Sequence, residues 1–342
     1  MKVEFRGTAG APGHPPGGCP CASCGRAAAE GTHRRPLEIV VDGVLRLGSP
    51  APPPPGYAVR ESALGLEVTA PGGARLLLHH TGRPGPSVSA FDVVAVDLLG
   101  EPSRLGLLRR AGAVDARTHV VAVGIDHRVP SEAELRRRLA LWGALAVPDG
   151  TVVAAGDAPP TTPRPARRTL LLGGSRSGKS AEAELRLAAE PAVTYVATGE
   201  PGGDAEWRAR VETHRRRRPA HWETVESTDL AGVLRAAAPD APLLIDGIGT
   251  WLAAVLGECG AWDDDPGAEA AVAERRAELV AAWRRTGARV VAVSDEVGLG
   301  VVPATRSGRV FRDALGRLNQ ALACESEESF LVVAGRPVPL PV

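Results

Sequence analysis

Thr169-Leu170-Leu171-Leu172-Gly173-Gly174-Ser175-Arg176-Ser177-Gly178-Lys179-Ser180 decides how the second half of this chain is read. An apolar run ends in two glycines, and residues 173–180 fit the spacing G-x-x-x-x-G-K-[ST] where a strand should give way to a helix. The glycines let the backbone curl so that several N–H groups converge on phosphate oxygens at a helix N-terminus. Lys179 then reaches the outer phosphates, and the Ser180 hydroxyl is placed for Mg²⁺. An incidental lysine is a poor explanation, because the chain holds only two, Lys2 and Lys179, among 40 basic residues. The matching acid should end a buried strand. Leu243-Leu244-Ile245-Asp246 supplies one, although a strand-end Asp also serves as a turn former.

Outward from this loop, apolar runs alternate with helical patterns. Strands are expected at 169–172, 193–197, 242–245, 289–293 and 330–333, with helices over 179–190, 204–217, from 250 onward, 269–285 and 305–323. Strands that are apolar throughout, alternating with helices, imply a mostly parallel sheet covered on both faces, an α/β domain. The first half mixes expected strands at 37–41, 74–78, 93–97 and 119–123 with a helix over 131–142, and reads as α+β or as a smaller α/β domain. Between the halves, Ala158-Pro-Pro-Thr-Thr-Pro-Arg-Pro-Ala-Arg-Arg168 breaks every periodicity. The organisation is therefore a domain over 1–157, a linker over 158–168 and a phosphate-loop domain over 169–342. A Pro-rich stretch, 49–57, reads as a surface loop inside the first domain.

At 342 residues, 44% apolar and 23% charged, the chain has the composition of a soluble two-domain protein. It lacks a run of about 18 apolar residues and a signal-like N-terminus, so no membrane span is expected and a cytoplasmic location is. Acidic and basic residues balance at 40 each, which gives no reason to expect nucleic acid or an anionic membrane as a partner. Of five cysteines, Cys19, Cys21 and Cys24 are clustered, while Cys259 and Cys324 are isolated. An odd, clustered set suggests metal ligation rather than disulfides.

Residues 210–222, RVETHRRRRPAHW, place His214 beside Arg215, Arg216, Arg217 and Arg218. A charge run is commonly a solvated helix face. Four consecutive arginines encircle a helix, however, so at least one should point inward or toward an anion. A neutral imidazole among guanidinium groups suits attack on phosphorus, since the cations disfavour its protonation and stabilise charge building on the phosphoryl oxygens.

Taken together, LLLGGSRSGKSAEAE from Leu170, TYVATGE from Thr194, RVETHRRRRPAHWETVE from Arg210, LLIDGIGTWL from Leu243 and SDEVGLGVVPATRSGRVFRDALGRLNQALA from Ser294 make the second half recognisable. It resembles the bifunctional adenosylcobinamide kinase / adenosylcobinamide-phosphate guanylyltransferase family of cobalamin biosynthesis. The resemblance implies a RecA-like P-loop fold, ATP and GTP as nucleotides with Mg²⁺, and adenosylcobinamide as substrate. It also implies a homo-oligomer, often a trimer. By position, His214 becomes the nucleophile of a GMP-histidine intermediate and Lys179 the other catalytic residue. Nucleotide contacts carry over to Gly173, Gly174, Ser175, Arg176, Ser177, Gly178, Lys179, Ser180, Thr198, Gly199, Glu200, Arg215, Arg216, Arg217, Arg218, Glu226 and Asp246, with Ser180 and Asp246 on Mg²⁺. His221 becomes a structural residue bracing the loop with Trp222. One departure, Cys324-Glu-Ser-Glu-Glu-Ser329 before the last strand, puts the local packing in question.

The opening of the chain, with Cys19-x-Cys21-x-x-Cys24, resembles metallo-β-lactamase-like phosphodiesterases, some of which hold a structural zinc through such cysteines and a distant histidine. The catalytic H-x-H-x-D-H of that superfamily is absent, and His79-His80 stands near its place without the acid and third histidine. The late H-x-x-H survives only as Gly124-Ile-Asp-His127. A degenerate domain is therefore expected, with Zn²⁺ on Cys19, Cys21, Cys24 and His127 and no hydrolytic centre. Two rival readings remain: a metal-dependent hydrolase fused to a nucleotide sensor, and a non-catalytic GTP-binding regulator or scaffold. Neither predicts a covalent guanylylated protein.

Overall fold

The computed structural model describes residues 1–80, 82, 88–160, 165–198 and 218–341. The chain divides into two compact units, Met1–Arg164 with Ala188–Pro191, and Pro165–Leu187 with Ala192–Val342.

The first unit contains two sheets. Strands β1 (Lys2–Gly7), β2 (Glu38–Val41), β3 (Leu45–Arg46) and β9 (Thr151–Ala154) form an antiparallel sheet in the order β3-β2-β1-β9. Strands β4 (Ala58–Ser62), β5 (Gly65–Thr69), β6 (Arg75–His79), β7 (Val93–Val96) and β8 (His119–Ala122) follow one another in a second sheet, antiparallel up to β6 and parallel from there to β8. Val3, Phe5 and Ile39 of the first sheet share one core with Val68, Leu76, Val93 and Val121 of the second, so the sheets pack face to face. Helix α1 (Ala22–Ala29) starts at Cys21, α2 spans Ser103–Arg110 and α3 spans Glu132–Trp142. Sequence dictates both ends of α3. The Ser131 hydroxyl accepts from the Glu134 N–H at 3.2 Å, and Gly143 stops the helix in the left-handed region at φ 62°.

The second unit is one seven-stranded sheet with helices along it. Its strands are β10 (Arg168–Gly173), β11 (Thr194–Ala197), β12 (Glu223–Glu226), β13 (Leu243–Asp246), β14 (Val290–Asp295), β15 (Glu328–Val333) and β16 (Arg336–Leu340). The order is β12-β11-β13-β14-β10-β15-β16, parallel throughout except for β16. Helices α4 (Lys179–Leu187), α5 (Leu230–Ala236), α6 (Ile248–Glu258), α7 (Ala268–Arg285) and α8 (Arg306–Cys324) complete the described part.

The pleat sorts the apolar run 170–172. Leu170 and Leu172 join Ile245, Trp251, Trp283 and Leu315 on one face, while Leu171 joins Leu187, Tyr195, Leu244 and Val293 on the other. Each of these leucines is buried, worth roughly 2 kcal/mol apiece. From β10 the chain crosses to β11 on one side, and later returns to β15 on the other. That reversal opens a crevice at the carboxyl end of β10, where the phosphate loop begins.

The expected strands and helices of this unit fall where the sequence placed them, apart from the helix over 204–217, which lies outside the described residues. Strands β12 and β16 and helix α5 were not anticipated. The unusual run 324–329 packs well: Glu325, Glu327 and Glu328 meet Arg284, Arg168 and Arg186 at 2.5, 2.7 and 3.1 Å, and Ser326 Oγ accepts from Trp283 Nε1 at 3.2 Å. Among the described residues, no helix is long and apolar enough to cross a membrane.

Candidate active site and metal centre

Gly173 ends β10 in a space that admits no side chain. A Cβ there would stand 2.5 Å from Ser177 Oγ and 2.7 Å from the Val332 carbonyl. Gly178 has φ 98° and lies against Gly335, whose Cα would be 2.9 Å from an added Cβ. The Gly335 N–H donates to the Ser177 carbonyl at 2.7 Å, so the turn between β15 and β16 backs the loop. Gly174, Ser175 and Arg176 are exposed at its tip, Arg176 with φ 58°.

Lys179 opens α4 with its side chain 9% exposed. Its Nζ donates to the Gly174 carbonyl at 3.1 Å and pairs with Asp295 Oδ1 at 2.8 Å. Asp295 ends β14, the strand beside β10, and its main-chain carbonyl accepts from Asn319 Nδ2 at 3.0 Å. A cation this enclosed needs a counter-charge, and Asp295 provides it where a nucleotide phosphate would otherwise do so. Sequence reasoning quoted the SDEVG stretch and did not single out Asp295; the pairing becomes visible only once β14 is known to lie against β10.

The Ser180 hydroxyl donates to Asp246 Oδ1 at 3.1 Å, which joins the two expected Mg²⁺ ligands. The other oxygen of Asp246 accepts a short hydrogen bond from the Tyr195 hydroxyl. Burial, then the neighbouring Asp246 carboxylate, push the Tyr195 phenol well above its ordinary range, so it stays a proton donor. The Arg218 guanidinium covers the Tyr195 ring at 3.3 Å from its centroid. Tyr195 was also missed, although it stands in the quoted TYVATGE.

Parallel register places Ala197, Glu226 and Asp246 side by side at the carboxyl ends of β11, β12 and β13. Thr198 follows, 2% exposed, its hydroxyl donating to the Gly247 carbonyl at 2.6 Å. The structure thus gathers Lys179, Ser180 and Asp246 in one constellation, with Thr198, Glu226 and Arg218 along the same edge. His214, Gly199, Glu200, Arg215, Arg216 and Arg217 lie outside the described residues. His221 is half-buried beside Trp222, which is packed in the core with Tyr195 and Leu187.

In the first unit, one ligand atom from each of Cys19, Cys21, Cys24 and His127 lies within 4.8 Å of every other. Sγ of Cys19 and of Cys24 each stand 3.8 Å from His127 Nδ1. Tetrahedral zinc with sulfur at about 2.3 Å has edges of roughly 3.8 Å, so donor set and spacing both fit that ion. Helix α1 is fastened to the segment after His127 by Ser23 Oγ to the Val129 carbonyl, 2.7 Å, and Arg26 Nε to the Pro130 carbonyl, 2.8 Å. The Cys24 N–H bonded to Cys21 Sγ holds the Cys21 thiol below its usual range, whereas burial pushes Cys24 up to about 12. A dication bound among them would favour the thiolate at each of the three cysteines.

His79 Nδ1 is 2.6 Å from the Leu64 carbonyl, and His80 meets Glu61 at 3.1 Å. Arg128 bonds Asp97 at 2.9 Å and Asp126 at 2.8 Å. Among the described residues, the Cys₃His set is the one group of three or more such side chains with metal spacing.

Sheet order, phosphate loop and the Lys179–Ser180–Asp246 constellation define a P-loop nucleotide-binding α/β protein. Its family follows from comparison with known proteins: the profile of the cobinamide kinase / cobinamide phosphate guanyltransferase family matches residues 169–340, and the chain belongs to that family. It is similar to the bifunctional adenosylcobalamin biosynthesis protein CobU of Salmonella typhimurium, 41% identical over 173 residues, 48% of this chain and 95% of that one. The CobU protein of Escherichia coli is 40% identical over 174 residues, covering 48% and 95%. The CobP protein of Pseudomonas aeruginosa is 45% identical over 177 residues, covering 51% and 96%. Among solved structures, the assembled type III secretion ATPase EscN of enteropathogenic E. coli overlies 49% of this chain and 43% of its own at TM-score 0.32 and 12% identity, too slight a likeness to argue from.

Proposed function

We propose that residues 169–342 phosphorylate adenosylcobinamide with ATP or GTP and then transfer GMP to the product, giving adenosylcobinamide-GDP in cobalamin biosynthesis. The observation that carries this reading is Lys179 and the Ser180–Asp246 pair converging on one phosphate loop, in a chain of this family. In the first reaction the aminopropanol hydroxyl oxygen bonds to the γ-phosphorus while the bond from phosphorus to the β–γ bridging oxygen breaks. Nucleoside diphosphate leaves, and the hydroxyl proton passes to solvent. Loop N–H groups and Lys179 hold the phosphates and offset the charge on them, Lys179 exchanging Asp295 for phosphate oxygens. Ser180 and Asp246 would hold Mg²⁺, which supplies further charge neutralisation.

In the second reaction a ring nitrogen of His214 bonds to the α-phosphorus of GTP as the α–β bridging bond breaks and pyrophosphate leaves. A phosphate oxygen of adenosylcobinamide phosphate then attacks the same phosphorus, the P–N bond breaks and His214 is regenerated. Gly199, Glu200, Arg215–Arg217, Arg218, Thr198 and Glu226 are assigned to the nucleotide. The enzyme is assigned to the cytoplasm as a homo-oligomer, a trimer by resemblance. Incubating the chain with α-labelled GTP should give an acid-labile, alkali-stable label on the protein that His214→Ala abolishes. Wild-type protein without label, or labelled His214→Ala, would overturn the covalent route.

For the first unit we propose a degenerate metallo-β-lactamase-like domain with structural Zn²⁺ on Cys19, Cys21, Cys24 and His127 and no hydrolytic role. Metal analysis of the purified full chain should find about one zinc, and Cys24→Ser should lose it. A wild-type chain free of zinc ends this assignment.

A further inference from the structure

Between β14 and α8 the chain carries Glu296-Val297-Gly298-Leu299-Gly300-Val301-Val302-Pro303. Leu299 is 80% exposed, Val301 94% and Val302 59%, and no other four-residue stretch among the described residues holds three exposed large apolar side chains. Such a cluster is a marked cost in water unless something covers it. The loop is nonetheless fastened at both ends. The Glu296 N–H donates to the Gly173 carbonyl at 3.0 Å, and the Glu296 carboxylate accepts from the Gly298 N–H at 2.7 Å. Beyond it, Arg309 Nη1 donates to the carbonyls of Pro303 and Ala304 at 3.0 and 2.8 Å.

Position and charge indicate the occupant. Asp295, paired with Lys179, immediately precedes the loop, so four residues of chain bring Leu299 within at most about 14 Å of it. The phosphoryl acceptor must approach the outer phosphate from this same end of the sheet. An adenosylated cobalt(III) corrin is a broad ring edged with methyl and amide groups, and it carries a net positive charge. Here it would meet three apolar side chains, with Glu296 at the inner end, joined by Asp295 once Lys179 has turned to the phosphates.

We propose that Leu299, Val301 and Val302 form the seat for the corrin ring of the phosphoryl acceptor, holding its aminopropanol arm toward the phosphate loop. The inference rests on the proposed kinase reaction and names the surface that selects its acceptor. Equilibrium dialysis of the full-length protein against adenosylcobinamide, read by the corrin's visible absorbance, tests it. The double variant Leu299→Ser, Val301→Ser should bind adenosylcobinamide about tenfold more weakly than wild type, with GTP affinity within about twofold. Light scattering should give the same mass for both proteins, and an unchanged melting temperature would confirm folding. Equal retention by both proteins, including none by either, overturns the seat; so does a drop in mass, which would show a second copy covering the loop. Turnover is read separately. Wild-type protein that retains the corrinoid but forms no phosphorylated product would sink the kinase reading and leave the seat standing.

Discussion

Two aspartates, Asp246 as the last residue of β13 and Asp97 just after β7, stand at the ends of buried parallel strands, and their partners make them different objects. Asp246 accepts from the hydroxyls of Ser180 and Tyr195, which brings it to the phosphate loop. Asp97 faces the Arg128 guanidinium at 2.9 Å. Arg128 also binds Asp126, whose carboxyl burial would raise but Arg128 holds below the ordinary range. A carboxylate lined by hydroxyls at a phosphate loop is placed to share a cation with them, whereas one tied to a guanidinium on the next loop is placed to brace the backbone. Position at a strand end is shared; the partners are not.

The largest effect expected from this contrast is at the cation serving the first site. Lys179→Ala should lower kcat/KM for phosphorylation by about 10³ or more in initial-rate assays, while Arg128→Ala leaves it within about twofold. Next, Asp246→Asn should cost about 10² in the same assay, against no measurable change for Asp97→Asn. A comparable loss at Asp97 would break the comparison.

Asp295→Asn removes the counter-charge of an enclosed lysine. Denaturant melts should show roughly 1–3 kcal/mol of lost stability, and GTP should raise the melting temperature more than in wild type because it restores the missing anion. The Tyr195 phenol has a folded-state pKa raised above its unfolded value of about 10. Its contribution is therefore complete below pH 10 and lost as pH climbs beyond it. Stability of the wild type should fall more steeply above pH 10 than that of Tyr195→Phe. The smallest effect belongs to Arg128→Ala. With a third of its side chain exposed, the loss should stay under about 1 kcal/mol in a urea melt, and a larger one would mean that the pair carries structural weight.

What could be read from sequence follows from how local each feature is. Lys179 and Ser180 belong to a contiguous loop, and Asp246 sits at the end of an obvious apolar run, so periodicity and spacing find them. Tyr195 and Asp295 act through neighbouring strands, and their meaning depends on sheet order β11-β13-β14-β10, which no local pattern records. Strand β16 was missed because Pro337 and Pro339 argue against a strand, and an edge position is what tolerates them. Strand β12 is short and largely exposed, and α5 has only seven residues behind its Asp229 cap. Conversely, Cys19, Cys21 and Cys24 announced themselves by spacing, but only the resemblance connected them with His127, more than a hundred residues away.

The hairpin turn at Gly335 has a consequence for how this domain comes into being. The phosphate loop is encoded near the start of the domain, yet the surface that shapes it, the Val332 carbonyl and the Gly335 N–H, is encoded near the end. A chain still emerging from the ribosome therefore cannot complete the loop until those last residues are free. Triphosphate capture should be withheld from nascent chains and should arrive abruptly once the turn between β15 and β16 has been released.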